Sequence, residues 1–303
     1  MAMRVATFGI SQQMIAAALR TQSTMASQQI QEASGQISSD FSAYGSSTQQ
    51  ILNLQVSVSR SQSYIDAATA AGNKVEVMYS TVNSVADLLT QFRSLLTGAS
   101  SASSTDSTSV TQSAQDMLEQ MASLLNTQYS GSYLFGGART TSAPVDLGSA
   151  TYVAATSPSS ADTSYYQGDA EIASVRVSDS HSVSYGVTAN NTAFEQALRA
   201  MNLVANNSPL STDTLTGALT LATSAVDAVG VLQSSISNSA ASIERASTLQ
   251  ADYQSFAETL GTSLTSVDVA AVTASLSTYQ AQLTASYAAI AKVQSLQLAS
   301  YLS

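Results

Sequence analysis

Residues 49–96 read QQILNLQVSVSRSQSYIDAATAAGNKVEVMYSTVNSVADLLTQFRSLL, and this stretch decides the fold. Two series of mostly apolar residues run through it, each repeating every seventh position. The first series is Ile51, Val58, Ile65, Gly72, Tyr79, Ala86 and Arg93, and the second is Leu54, Ser61, Ala68, Val75, Val82, Leu89 and Leu96. Because the two series alternate at three and four residues, they are typical of a coiled-coil helix. No proline interrupts the stretch, so it predicts one helix about 70 Å long.

A second heptad pattern of similar length begins at Leu215. Its first series is Leu215, Ala222, Val229, Ile236, Ile243, Gln250 and Ala257, and its companions are Ala218, Ala225, Leu232, Ser239, Ala246, Tyr253 and Leu260. Two long helices of matched length predict a pair that buries one apolar seam against the other.

Shorter helices are predicted around this pair. Thr97–Gly98 is predicted to end the first long helix, and apolar residues at helical spacing then indicate short helices over residues 110–128 and 191–204. Gly261 predicts a break near the end of the second long helix, and Asp268 predicts the N-cap of a C-terminal helix.

Residues 131–189 differ from the helical segments in composition and in hydrophobic spacing. Short alternating segments such as TYVAATS, TSYYQGD and EIASVRVSD are separated by Gly, Asp, Ser and Pro, which predicts a small β-rich insert. Tyrosines recur in it, at Tyr152, Tyr165, Tyr166 and Tyr185. They are interpreted as half-buried strand residues, and a glycan-binding face of a surface adhesin is the alternative.

The fold class predicted from these patterns is mainly α. It is a long antiparallel coiled-coil bundle built from both chain ends, with a small β-rich central insert. Residues 1–46 and 265–303 are expected to form a terminal helical assembly domain. The long-helix bundle is expected over residues 47–130 and 190–264, with the insert at 131–189.

Composition excludes several function classes. Only 10% of the 303 residues are charged and the net charge is -10, so nucleic-acid binding and attraction to an anionic membrane are not expected. The absence of cysteine and the single histidine, His181, exclude thiol chemistry and a zinc site of the usual kind. We therefore expect no enzyme activity, no cofactor and no metal. No run of eighteen apolar residues predicts a membrane span, and no standard signal peptide is evident.

The terminal segments carry narrow apolar stripes rich in Ala, Ser and Gln, and such helices are marginal alone. They are expected either to pair with each other or to pack also against other subunits. The residues predicted to form a subunit interface are Ile10, Met14, Leu19, Leu276, Leu283, Ile290, Val293 and Leu296.

Three segments resemble the bacterial flagellin family. They are TFGISQQMIAAALRTQSTMASQQIQEASG at the start, LEQMASLLNTQYSGSYLFGGARTTSAPV before the insert, and SLTSVDVAAVTASLSTYQAQLTASYAAIAKVQSLQLASYLS at the end. The resemblance implies a structural subunit of the flagellar filament, polymerising into a helical tube for motility. The related hook–filament junction protein is the alternative, because QISSDFSAYGSS replaces the usual flagellin sequence after Gly35 and YLFGG is frequent in junction proteins.

The resemblance also implies partners and a location. We expect copies of the same chain, hook-associated and cap proteins, and an export chaperone as partners. The expected location is the extracellular flagellum, reached by type III export without a cleaved signal peptide. The innate immune receptor for flagellin reads a Leu-Gln-Arg-Val-Arg-Glu-Leu stretch in the family, and this chain has LTQFRSL there. Arg93, Leu89 and Leu95 match, whereas Gln91 and Ser94 replace two charged residues, which predicts weak stimulation of that receptor.

Overall fold

The computed structural model describes the backbone of residues 2–101 and 107–302, and the side chains of residues 9–101 and 107–295. Two compact units make up the chain. The terminal unit consists of Met1–Ser59 and Gln254–Ser303, and the central unit is Arg60–Tyr253. The domain boundaries near residues 46 and 265 stay a prediction.

Helices dominate the described part of the chain, as the sequence predicts. They are α1 (Ala2–Ser34), a 3-10 helix (Phe41–Ser47), α2 (Thr48–Ser101), α3 (Ser107–Leu125), α4 (Thr192–Ala205), α5 (Thr212–Thr265) and α6 (Val269–Leu302). The mainly α fold with a small central insert is thus confirmed.

Helices α2 and α5 run antiparallel in the central unit. Ser61 Oγ donates to Gln250 Oε1 at 3.1 Å, and further along Gln233 Nε2 donates to Asn83 Oδ1 at 2.6 Å. Short helices α3 and α4 pack on this pair and complete the core. The α5 heptad is buried as predicted from Leu215 to Ile243, where its apolar positions join the core.

The seam of α2 differs from the predicted one in half of its positions. The second predicted series is buried from Ala68 onward, but the first is not: Tyr79 is 38% exposed. The partner series instead lies one residue earlier, at Ala71, Met78, Val85, Phe92 and Ala99. Both registers alternate by three and four, so the periodicity alone did not distinguish them, and packing of the larger side chains selects the observed one.

The predicted end of α2 is wrong, and the break predicted over Gly261 and Ser266–Asp268 begins only after Thr265. Helix α2 continues through Gly98 to Ser101, and α5 continues through Gly261 to Thr265. A glycine inside a helix costs about 1 kcal/mol relative to alanine, which the buried neighbours Leu96 and Ala99 outweigh in α2. The predicted start of α6 is confirmed, because Asp268 Oδ1 accepts from the amides of Ala270 and Ala271 at 3.0 and 3.2 Å.

The insert contains less strand than predicted. One hairpin pairs β1 (Gln128–Tyr129) with β2 (Ser132–Tyr133), and a second pairs β3 (Ser174–Arg176) with β4 (Ser182–Ser184). The segments TYVAATS and TSYYQGD are not strands, apart from a bridge between Val145 and Tyr166.

Side chains of α4 replace the missing strand partners. Asn202 binds the backbone of the irregular segment on both sides, accepting from Ala155 N at 3.1 Å and donating to Val153 O at 3.2 Å. Glu195, 3% exposed, accepts from Asp162 N at 3.0 Å. Backbone groups that a sheet would pair are therefore satisfied by one helix face.

The segment YLFGG connects the insert to the bundle. The turn before it, at Ser130 and Gly131, has positive φ at both residues (49° and 77°), which suits a two-residue hairpin turn. Phe135 is fully buried and meets Phe194 of α4 edge to face, with ring centroids 5.9 Å apart. The interpretation of this motif as a turn into the insert agrees with that geometry.

Helix α5 is long and apolar enough to cross a membrane by length and composition alone. Its apolar stripe from Leu215 to Ile243 packs instead into the core of the central unit. Core helices satisfy the same compositional test, so this is weak evidence for a span.

Candidate assembly surface

The terminal unit is organised around the pairing of α1 with α6. Gly35, with φ +68°, ends α1 in a left-handed conformation. The segment after Gly35 pairs with the connection between α5 and α6. Ile37 N donates to Thr265 O at 2.8 Å, and Val267 N donates to Gly35 O at 3.0 Å. These two backbone hydrogen bonds hold the segment that follows α1 against the end of α5 and the short connection to α6.

Side chains extend this junction. Gln31 Nε2 donates to Ile37 O at 2.8 Å, and Thr273 Oγ1 donates to Glu32 Oε1 at 2.7 Å. Asp40 accepts from Ser42 N at 2.9 Å and caps the 3-10 helix, and this backbone hydrogen bond lowers the pKa of its carboxyl group. The sequence QISSDFSAYGSS thus forms a structured connection between α1 and α2.

Very little of the α1–α6 pair is buried. Among the described side chains of these two helices, the buried ones are Ala18, Val272 and Leu276. Large apolar side chains remain in contact with water along both helices, namely Ile10, Ile15, Leu19, Ile30, Val269 and Tyr287. The pair therefore has an apolar surface that its own packing does not cover.

The predicted interface residues fall into three groups. Ile10 and Leu19 are 53% and 59% exposed, which leaves them available to a neighbour. Met14, Leu283, Ile290 and Val293 are half-buried. Leu276 is 5% exposed and packs inside its own unit, whereas the side chain of Leu296 lies outside the described residues.

The prediction from sequence missed part of this surface. Ile15 and Tyr287 lie one residue after Met14 and four residues after Leu283, so they widen the stripe. Their exposure became clear only when the partner faces of α1 and α6 were known. Spacing alone could have identified Tyr287, because residues i and i+4 share a helix face.

A groove adds to the apolar character of the terminal unit. It lies between the first turns of α2 and the last turns of α5, with a volume of about 410 Å³. Leu54, Val58 and Ala257 contribute to its lining, and Phe41 and Tyr44 of the 3-10 helix stand at its edge.

Charge is scarce in the same unit. Its charged residues are Arg4, Arg20, Glu32, Asp40, Glu258, Asp268 and Lys292. Assembly through this unit would thus require little desolvation of charge, which is the main penalty when polar surfaces associate.

The described residues contain no candidate metal-binding cluster. No group of three or more His, Asp or Glu side chains lies close enough to hold a metal ion there. Asp116 and Glu119 accept hydrogen bonds from Gln112 and Gln115, one turn earlier in α3. His181 is exposed.

The tyrosines of the insert turn inward. Tyr165 is fully buried, donates to Ala189 O at 3.0 Å and meets Tyr152 edge to face at 5.4 Å. Burial raises the pKa of both phenols. The two other rings, Tyr166 and Tyr185, are half-buried and buried, so the four do not form the exposed aromatic face that the adhesin alternative needs.

The receptor-motif residues lie in α2 and are only partly accessible. Gln91 and Ser94 are exposed, and Arg93 and Leu95 are half-buried. Leu89 is fully buried in the core, and its match to the family motif stays a prediction from sequence. It occupies a seam position of the heptad, where packing excludes a partner protein.

Comparison with known proteins agrees with this architecture. Residues 5–140 match the model of the bacterial flagellin N-terminal helical region. The chain carries a flagellin-type N-terminal helical region. No curated protein sequence matches this chain at a significant level.

Solved structures that are similar to this chain have low sequence identity to it. A structure named a flagellar hook-associated protein from Vibrio parahaemolyticus is similar with a TM-score of 0.60 and 16% identity, over 72% of this chain and 96% of that one. Flagellar hook-associated protein-3 from Legionella pneumophila matches with a TM-score of 0.46 and 14% identity, over 71% of this chain and 97% of that one. The first likeness shows that this chain shares the fold of that protein.

Proposed function

We propose that this flagellin-type chain is a structural subunit of the bacterial flagellum and acts at the junction between hook and filament. The observation that carries the proposal is the α1–α6 pair, which buries few of its own side chains and leaves large apolar residues in water. Exposing apolar surface to water is unfavourable, and packing against further subunits would remove that surface from water.

The junction is favoured over the filament because a structure that shares this fold is named a hook-associated protein. The similar structure at a TM-score of 0.60 is named a hook-associated protein, and this chain covers 96% of it. The filament reading, expected first from the sequence, remains the second candidate because the N-terminal region is of flagellin type.

The proposed partners follow from the proposed place. The terminal unit packs against copies of the same chain and against neighbouring flagellar proteins, and an export chaperone accompanies the chain inside the cell. The proposed location is the extracellular flagellum, with export through the flagellar type III channel. A structural role of this kind requires no catalytic activity.

Localisation by electron microscopy distinguishes the two candidates. The full chain carries an epitope tag between the exposed residues Thr141 and Ser142, is expressed in its own host and is detected with gold-labelled antibody. Label confined to a narrow band at the distal end of the hook supports the junction. Label along the whole filament would overturn it in favour of the filament subunit.

A gene deletion gives an independent test. Loss of a junction protein leaves hooks without filaments while the filament subunit accumulates in the medium. Continued filament growth in the deletion strain would contradict the proposal.

A further inference from the structure

The tip of the β3–β4 hairpin is fastened to α2 by one carboxylate. Asp179 Oδ2 pairs with Arg60 at 2.8 Å, and its Oδ1 accepts from Tyr64 Oη at 2.8 Å. Within the hairpin, Arg176 donates to the carbonyl oxygens of Ser178 and Asp179. Arg176 thus holds the backbone of the tip, while the Asp179 carboxylate binds two residues of α2.

The opposite end of the hairpin is fastened to α5. Ser239 Oγ donates to Ser184 O of β4 at 3.1 Å. Between the two attachments, Val175, Val177 and Val183 are buried in the core at 8%, 1% and 8% exposure. The same short hairpin therefore contacts both long helices.

The helix seam beneath the tip is unusually polar. Ser61, 3% exposed, occupies a heptad position of α2 and hydrogen-bonds Gln250 of α5. The contiguous apolar core begins only at Ala68 of α2 and ends at Ile243 of α5. A serine–glutamine pair contributes one hydrogen bond and little packing, so this part of the α2–α5 pair has weak cohesion of its own.

We propose that the β3–β4 hairpin is a clamp that ties α2, where the seam is polar, to α5 at Ser239, within the last turns of the apolar core. Asp179 attaches the clamp to α2 and Ser184 attaches it to α5, so opening the tip frees the helix ends that the apolar core does not reach. The Tyr64 hydrogen bond, followed by that of Arg60, lowers the pKa of Asp179, in keeping with a carboxylate that stays ionised in these contacts. The clamp is independent of the proposed place in the flagellum.

Amide hydrogen exchange of the full chain, read by mass spectrometry, tests the clamp. Asp179→Ala removes the attachment to α2, and Tyr64→Phe removes one of its two hydrogen bonds. We expect exchange in residues 60–65 and 246–253 to accelerate roughly three- to tenfold with Asp179→Ala, and less with Tyr64→Phe. Exchange in the core, around Val82, is expected to stay unchanged.

Asp66→Ala is the matched control. Asp66 is an exposed carboxylate on the same helix, and its described hydrogen bond is to Gln62, one turn earlier. Asp66→Ala removes the same charge as Asp179→Ala but leaves the contacts of the hairpin intact.

Two outcomes would overturn the proposal. The first is faster exchange in the hairpin alone, with helix amides as protected as in the unmodified chain. The second is acceleration of residues 246–253 by Asp66→Ala as large as that by Asp179→Ala. Trypsin cleavage after Arg176 offers a second readout, since the clamp shields that bond, and an unchanged cleavage rate in Asp179→Ala would count against it.

Discussion

Replacing Leu19 by glutamine should weaken assembly without weakening the monomer. Leu19 is 59% exposed on α1, so most of its side chain has apolar surface still to bury. Complete burial of a leucine side chain contributes roughly 1.5–3 kcal/mol, which leaves roughly 1–2 kcal/mol available to an intersubunit contact. That range corresponds to a factor of about 5–30 in an equilibrium constant. Glutamine keeps nearly the helix propensity of leucine, so α1 itself is little affected.

The assay is co-sedimentation of the purified chain with isolated hooks and, separately, with seeds of its own polymer. We expect the concentration for half-maximal binding to rise about 5- to 30-fold for Leu19→Gln. The urea unfolding free energy of the monomer should change by less than about 0.5 kcal/mol. Val231→Gln is the matched control, because Val231 is 72% exposed but lies in the central unit. Equal weakening by the control, or unchanged binding by Leu19→Gln, would refute an assembly role for the exposed face of α1.

Four further outcomes are expected. Chains lacking α1 and its connection to α2, or lacking α6, should remain folded and monomeric, which analytical ultracentrifugation checks; normal assembly of either would contradict the reading of the terminal unit. Phe135→Ala should lower the unfolding free energy by about 3–5 kcal/mol in urea titrations, because the ring is fully buried, and a loss below about 1 kcal/mol would show that the insert does not depend on it. Burial raises the pKa of Tyr166 to about 12, so its stabilising contribution is complete below the ordinary tyrosine pKa of 10.0 and is lost as pH rises toward 12; unfolding measured across that window should show a shallower decline for Tyr166→Phe. In a reporter-cell assay the monomer should stimulate the flagellin receptor weakly, and Gln91→Arg with Ser94→Glu should raise the response, whereas a strong response from the unchanged chain would contradict the motif argument.

The helices were accessible from sequence because their signals are local. Heptad spacing located α2 and α5, and an acidic cap located the start of α6. The exact seam of α2 was not accessible, since Met78 and Tyr79 both continue an apolar series and only the facing helices decide which is buried. Glycine did not end the helices for a related reason. The free energy that it costs inside a helix is smaller than the stabilisation from tertiary packing.

The insert was harder to predict because its partners are distant in sequence. Alternating residues around Tyr152 suggested strands, yet the backbone there is bound by Asn202, about fifty positions later. The hydrophobic spacing and the turn residues of the segment do not reveal that its backbone binds a side chain of a distant helix. The same limit applies to the clamp, since Asp179 and Arg60 are 119 residues apart.

The candidate surface was partly predictable for a physical reason that also bears on export. Helix formation has a costly nucleus, and a long helix gains stability in a protein mainly from the face that it buries. In α1 and α6 that face is small: besides Ala18, the buried described side chains are Val272 and Leu276. Ordering these helices is therefore only weakly favourable in a single chain and becomes favourable when neighbours cover Ile10 and Leu19. This division, with the weakest packing in the segments proposed to form the contacts, fits the proposal that the chain is exported unfolded and orders in a polymer.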